Sequence, residues 1–272
     1  MSGQLRIAYL GDLWSFHHIA ALQHFGEDAM YIGYASFEEV LHAVEAEKVD
    51  RGILAVENSL IGDVDDNLRQ LASGRYAILG EEELHIRLHL AAREAVPLTE
   101  IHKIISHPAA LLQAEQFLKS LPMVQLESVA STSSAMQLLR DANDKHVAAL
   151  GNREAIEKYH LQIIAENVAD DAVNFTRFFI FCKKTGNLIT TKSANKASIL
   201  LQTPENTGGP AMADLLLKGL EGIVLKREIN SETVYIEISF TQGEQFDDSI
   251  FKLSQNGCRV QVLGKYAAAV RR

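Results

Sequence analysis

Apolar residues along the chain fall into short runs, each followed by a stretch in which they recur every three or four positions. Leu5–Leu10 is such a run and precedes a helical pattern from about Ser15 to Phe25. Met30–Ala35 precedes one carrying Phe37, Val40, Leu41 and Val44, and Arg51–Val56 precedes one near Val64–Ala72. Buried strands read as apolar runs and amphipathic helices as a 3.6-residue period, so this alternation predicts a doubly wound sheet of parallel strands. Between Glu83 and Leu90 the period becomes two, with Leu84, Ile86, Leu88 and Leu90 set against His85, Arg87 and His89. That pattern predicts a strand with one wet face. The first rhythm then resumes: Lys103–Ser106 with helix Pro108–Lys119, Val124–Val129 with Ser134–Ala142, Val147–Leu150 with Arg153–Tyr159, and a closing strand Phe175–Cys182. The repetition predicts two similar lobes with a ligand cleft between them, outside the carboxyl ends of the strands.

Residues 183–196 are polar and read as a linker. Beyond it come strand Ala197–Gln202, helix Ala211–Leu220, a hairpin of Ile223–Ile229 and Thr233–Phe240 around Asn230-Ser231, helix Phe246–Gln255 and strand Arg259–Leu263. This is the element order of a small ferredoxin-like sandwich. The expected organisation is a two-lobed domain over 1–185, a linker over 186–195 and a small α/β domain over 196–272.

Charge narrows the partners. A net charge of −9 and the lack of a Lys/Arg stripe argue against nucleic acid, and they require that any small anion be held by local donors. No apolar run approaches the ~20 residues that cross a bilayer, so no membrane partner is expected. The amino terminus passes directly into a strand pattern without a signal-peptide core. Cys182 and Cys258 lie in separate segments, as in a reducing compartment, so the expected location is cytoplasmic.

Three segments place hydroxyl or amide residues between a strand and the next helix: Gly11–His17, Glu57–Gly62 and Ser131–Ser134. Helix N-termini offer unpaired N–H groups and a partial positive charge, which suits a carboxylate. The same residue types are also preferred as helix caps for stability alone. Asn174-Phe175-Thr176-Arg177-Phe178 sets Thr176 and Arg177 in an otherwise apolar strand. Arg177 suits either a bidentate pair with a ligand carboxylate or a buried ion pair with one of the chain's acids. His17 and His18 adjoin the first segment and can give cationic or hydrogen-bonding help. His107-Pro108 reads as a helix start. His85 and His89 are four apart, but on a strand that spans ~13 Å, too far to share a metal. No other cluster has ligand spacing, and neither a dinucleotide fingerprint nor a phosphate-binding loop is present, so no metal and no cofactor are expected.

Taken in order, Glu57-Asn58-Ser59 with Gly62, His107-Pro108 with Ala110-Leu111, Ser131-Thr132, and Asn174-x-Thr176-Arg177-Phe178 resemble the signature motifs of the prephenate dehydratase family. The resemblance covers residues 5–182 well and continues more weakly to about 266. It departs at the family's first motif, Gly-Pro-x-Gly-Thr-Phe-Ser, which here reads Gly11-Asp12-Leu13-Trp14-Ser15-Phe16-His17.

The resemblance implies a two-lobed fold like that of type II periplasmic binding proteins, followed by an ACT-like domain. It implies decarboxylating dehydration of prephenate, a dicarboxylate, to phenylpyruvate. Thr176, Glu57 and Arg177 are the implied catalytic residues; Ser15, Asn58, Ser59, Ser131, Thr132, Asn174, Phe178 and His17 are the implied substrate binders. In related enzymes the ACT domain binds phenylalanine through a Gly-Ala-Leu block and a Glu-Ser-Arg-Pro block. The matching stretches here, Gly208-Gly209-Pro210 and Lys226-Arg227-Glu228-Ile229, keep neither. Weak feedback and a homodimer or dimer of dimers are therefore expected. The altered Asp12–Trp14–His17 loop leaves open a prephenate decarboxylase or an arogenate dehydratase on the same scaffold, and a two-lobed fold also leaves open a non-catalytic small-anion-binding protein.

Overall fold

The computed structural model describes residues 3–64, 66–121, 123–186, 193–203, 223–230, 232–241, 243–255 and 257–270, with backbone alone at 223–228, 243–245 and 249. The first lobe is built on a mixed sheet of order β2-β1-β3-β11-β5. Its strands are β1 (Arg6–Leu10), β2 (Met30–Tyr34), β3 (Arg51–Asn58), β5 (Tyr76–His85) and β11 (Phe175–Lys183), with the two-residue β4 (Gly62–Asp63) hooked back on β3. Helices α1 (Phe16–Phe25), α2 (Phe37–Glu45) and α3 (Asn67–Leu71) cover it. Strands β1, β2 and β3 are parallel, as the run-and-helix rhythm predicts, but β11 returns antiparallel between β3 and β5.

The second lobe is a sheet of order β10-β6-β9-β7-β8, formed by β6 (His89–Ala92), β7 (Lys103–Ser106), β8 (Gln125–Ser128), β9 (Val147–Gly151) and β10 (Gln162–Ala165). It carries α4 (Pro108–Gln113), α5 (Glu115–Ser120), α6 (Thr132–Asp141) and α7 (Arg153–Lys158). The helix expected over Pro108–Lys119 is two helices that meet at Ala114, whose φ of −116° leaves the helical range.

The strand expected over Glu83–Leu90 is corrected. Strand β5 stops at His85 and β6 starts at His89, so the segment is a crossover between the lobes. The alternation is genuine, because the backbone stays extended, yet Leu84 packs beneath α1 while Leu88 and Leu90 belong to the second lobe's core. A period of two reports extended backbone and says nothing of which sheet it joins. The chain returns through residues 166–174.

The C-terminal unit is an antiparallel sheet of order β13-β14-β12-β15, with β12 (Lys196–Gln202), β13 (Ile223–Glu228), β14 (Thr233–Ser239) and β15 (Arg259–Tyr266), and with helix α8 (Gly243–Gln255). The helix expected at Ala211–Leu220 and the Gly208-Gly209-Pro210 stretch lie outside the described residues. This unit does not hang from lobe 1 by a linker alone. Leu200, Tyr235, Leu263 and Tyr266 share one apolar cluster with Tyr76, Ile78, Phe179 and Phe181 of lobe 1. The approach is close enough that a Cβ on Gly264 would lie 1.9 Å from the Ile78 carbonyl oxygen, so only glycine fits there.

Candidate active site

The expected site residues gather in two places: a hydrogen-bonded group at the first residues of β11, and the loop before α1, which meets the starts of α6 and α7 through the Leu13 and Trp14 carbonyls. Thr176 faces Asn58 of β3 across the ladder, with Leu84 of β5 on its other side. The Asn58 Oδ1 accepts from the backbone N–H groups of Leu60 and Ile61 at 3.0 and 3.2 Å. That fixes the orientation of the amide, so its Nδ2 donates to Thr176 Oγ1 at 2.9 Å and to Asn174 Oδ1 at 2.8 Å. Asn174 in turn donates to Gln113 Oε1 of α4 at 3.1 Å, joining the two lobes. Ser59 accepts from Phe175 N at 2.9 Å and donates to the Val173 carbonyl at 3.2 Å. Asn58, Ser59, Asn174 and Thr176 therefore form one hydrogen-bonded group. The Glu57–Gly62 segment that supplies it is a strand-to-strand turn closed by Gly62 at φ +79° rather than the expected helix start.

Ser15 and Ser131 act as caps. Ser15 Oγ accepts from His18 N at the start of α1, and Ser131 Oγ accepts from Ser134 N in a reciprocal box at the start of α6. Thr132 is the first residue of α6 and is buried. His107 caps α4 by accepting from Ala109 N.

Four expected site residues, Arg177, Glu57, Phe178 and His17, are engaged within the fold. Arg177 lies on the face of β11 opposite Thr176. Its Nε and Nη2 donate to Glu57 at 3.1 and 2.9 Å, and its Nη1 donates to Glu81 at 3.1 Å and to Glu237 of β14 at 2.8 Å. Lys196 Nζ closes the cluster at 2.9 Å from Glu81 and 2.6 Å from Glu237. Burial works against the guanidinium's charge, but Glu237 and Glu81 outweigh it and hold the Arg177 pKa well above its ordinary value. Likewise Glu237, disfavoured as an anion by burial, is held below the usual carboxylate range by Arg177 and Lys196. With every guanidinium nitrogen already engaged, Arg177 is a buried ion-pair residue, and Glu57 is its partner. Phe178 is fully buried beneath α1 with Ala20 and Ala21, so it is core rather than cleft wall. His17 is no cation: its Nε2 accepts from Ala55 N at 3.2 Å, and desolvation pushes its pKa down to about 3 although its rim is partly exposed. His18 Nδ1 accepts from Trp14 N at 3.1 Å, and burial lowers its pKa to about 4.

The altered first motif forms a bridge. Trp14, where the family pattern has glycine, takes the left-handed conformation at φ +68°. Its carbonyl accepts from Asn152 Nδ2 at 2.8 Å, Ser133 Oγ donates to the Leu13 carbonyl, and the indole packs on the second lobe's core with Lys158 Nζ 4.9 Å from the ring centre. A cavity of about 450 Å³ between the lobes is walled by Phe16, Leu84, Arg87 and Arg153 together with Glu154 and Glu166, Arg153 pairing with Glu166 at 3.0 Å, and its lining includes none of the expected site residues. Sequence reasoning singled out neither arginine, nor Glu81, Lys196 and Glu237. Among the described residues, no group of three His, Cys, Asp or Glu side chains is placed to hold a metal ion, and no helix is long and apolar enough to cross a membrane.

The chain thus has two α/β lobes joined by two crossovers, the architecture in which doubly wound sheets place a ligand cleft outside their strand ends. The sequence profile of the prephenate dehydratase family matches residues 7–186, and the chain belongs to that family. A prephenate dehydratase from Lactococcus lactis is 28% identical over 277 residues, an alignment covering 97% of this chain and 98% of that one. The structure of the Arthrobacter aurescens prephenate dehydratase in complex with L-Phe superposes with a TM-score of 0.82 at 22% identity, over 97% of this chain and 90% of that one. GqqA, described as a quorum-quenching acylase, superposes as well, with a TM-score of 0.81 at 21% identity over 97% of each chain. At these identities the structural likeness shows the fold alone, and the acylase illustrates that this fold carries more than one activity.

Proposed function

We propose that the chain converts prephenate to phenylpyruvate, with Thr176 as the group that meets the departing hydroxyl. The ring carboxylate leaves as carbon dioxide, its bonding electrons enter the ring, and the ring hydroxyl leaves with a proton as water. Aromatisation supplies the driving force, so the protein must position the substrate and assist that hydroxyl. One observation supports Thr176 most directly: Asn58 donates to its Oγ1, occupying a lone pair and turning the hydroxyl hydrogen outward as a donor. A neutral threonine is a poor acid, so its part is hydrogen bonding or relay, with the proton drawn ultimately from solvent. With Arg177 engaged elsewhere, the substrate's carboxylates fall to the N-termini of α1 and α6. The C-terminal unit is ACT-like in this reading and serves assembly more than feedback, so micromolar phenylalanine leaves activity nearly unchanged.

A turnover assay with prephenate, following phenylpyruvate at alkaline pH, tests the reading. Thr176→Ala should lower kcat at least ~100-fold, as for a lost transition-state hydrogen bond. Consumption of prephenate without phenylpyruvate would point to a decarboxylase, the second reading that the Trp14 bridge keeps open by reshaping the cleft's edge.

A further inference from the structure

Positions 176 and 177 of β11 look opposite ways, and so do positions 58 and 57 of β3 that pair with them. On one face Asn58 holds Thr176. On the other, Glu57 holds Arg177, and Arg177 is gripped in turn by Glu81 of β5 and Glu237 of β14. Glu81 is itself fixed from the C-terminal unit, by Lys196 Nζ at 2.9 Å and by the Ala269 N–H at 2.9 Å. Glu237 is fixed by Lys196 and by Tyr235 Oη at 2.9 Å; Tyr235 is linked through Ser198 to Tyr266 at 2.7 and 2.6 Å. The ladder between β11 and β3 slips register immediately after Arg177, so the pairing that sets Thr176 against Asn58 is not enforced by the strands beyond it.

We propose that Arg177 is a positioning residue, anchored by Glu237 and Lys196 of the C-terminal unit, which fixes the β3–β11 register that holds Thr176 against Asn58. The proposal rests on Thr176 as the catalytic hydroxyl. It makes the C-terminal unit a structural part of the active site, independent of any effector. A buried charge cluster suits this task, because it tolerates one arrangement and penalises its neighbours through unpaired charge. Small displacements of a catalytic group are costly in rate, while the substrate's own contacts are untouched.

The test uses Glu237→Gln in the full chain, a near-isosteric change on β14, with Lys196→Met as an independent second variant. Urea titration first shows that each is folded at the assay temperature. Steady-state kinetics with prephenate and hydrogen exchange of peptides spanning 55–61 and 173–180 are then measured for both. The expected result is a kcat lower by ~10–100-fold with KM within about twofold, accompanied by faster exchange in both peptides. Unchanged kcat in the folded variants, or a raised KM at constant kcat, would overturn the proposal. If the wild-type chain fails to turn over prephenate, it is the functional reading that falls. Exchange in the two peptides then decides alone: unaltered protection in both variants refutes the anchoring.

Discussion

Lobe 1 has two junctions, and they are built differently. Toward the C-terminal unit it shares a single apolar core, seals a glycine against the Ile78 backbone, and buries a charge cluster of Arg177, Lys196, Glu81 and Glu237, with Glu57 at its half-buried edge. Toward lobe 2 it offers loop tips: the Leu13 and Trp14 carbonyls, Asn174 to Gln113, and Phe16 packed between the cores. The first junction resembles a domain core cut in half, with one acceptable arrangement. The second combines two aromatic side chains, Trp14 and Phe16, with hydrogen bonds worth about 1 kcal/mol each, which can be exchanged for water one at a time. The weaker junction is therefore the one between the lobes, spanned by the chain at 86–88 and 166–174, and the stronger is the one between lobe 1 and the C-terminal unit.

The sharpest way to break this contrast is Arg177→Met. It leaves two carboxylates, Glu81 and Glu237, buried around a single lysine, and losing one partner of a buried cluster costs about 3–5 kcal/mol. Chemical denaturation should show that loss. Trp14, the only tryptophan of the chain, sits at the other junction, so its fluorescence before unfolding should be unchanged. Next in size, Gly264→Ala would force a methyl group onto the Ile78 carbonyl, and overpacking of this kind costs about 1–3 kcal/mol. The thermal midpoint should fall while the folded protein keeps its kcat.

The two junctions also differ in how far the sequence announces them. The apolar runs and helical periods locate most strands and helices, because those patterns are local consequences of burial, but they pass over β4, β10 and all of β5 before Glu83. The Asn58–Thr176 group is legible for another reason: its residues lie in compact motifs whose order the chain shares with a known family. The charge cluster is not legible as a cluster. Glu81 hides in an acidic run, Glu81-Glu82-Glu83, that reads as a solvated face, and Lys196 hides at the end of a polar linker. A signal did exist. Arg177 and Glu237 each interrupt an apolar strand, and a charge in such a place needs a partner of opposite sign. What the sequence does not contain is the pairing itself, which depends on how β14 packs against β11. For the same reason Arg177 passes for a substrate ligand until its partners are seen. The Glu83–Leu90 alternation likewise cannot reveal that it changes sheets midway.

A smaller effect probes the cleft side. Asn152 caps α7 through Ala155 N at 2.7 Å and holds the Trp14 carbonyl with the other half of its amide. Asn152→Ala should cost about 1 kcal/mol through the lost cap, by denaturant titration. It should also change the Trp14 emission in the native state. That response, absent from Arg177→Met, separates the two junctions by one optical signal.

The smallest expected effect is a pH dependence that belongs to the cleft side of lobe 1. His17 receives the Ala55 N–H on its Nε2, so the folded state needs the neutral ring, and its pKa is lowered from 6.5 to about 3. Within that window the unfolded chain binds a proton that the folded chain refuses, so stability rises with pH between about 3 and 6.5 and is indifferent to His17 above it. From pH 6.5 down to 5.5, before most carboxylates titrate, this histidine should remove about 1 kcal/mol. His18, lowered to about 4 for the same reason, contributes in the same direction. His17→Gln keeps an acceptor for Ala55 without a titrating group, so its stability against pH should be flatter over that interval. An equal slope in the variant would mean that the folded ring takes up a proton as readily as the unfolded chain does.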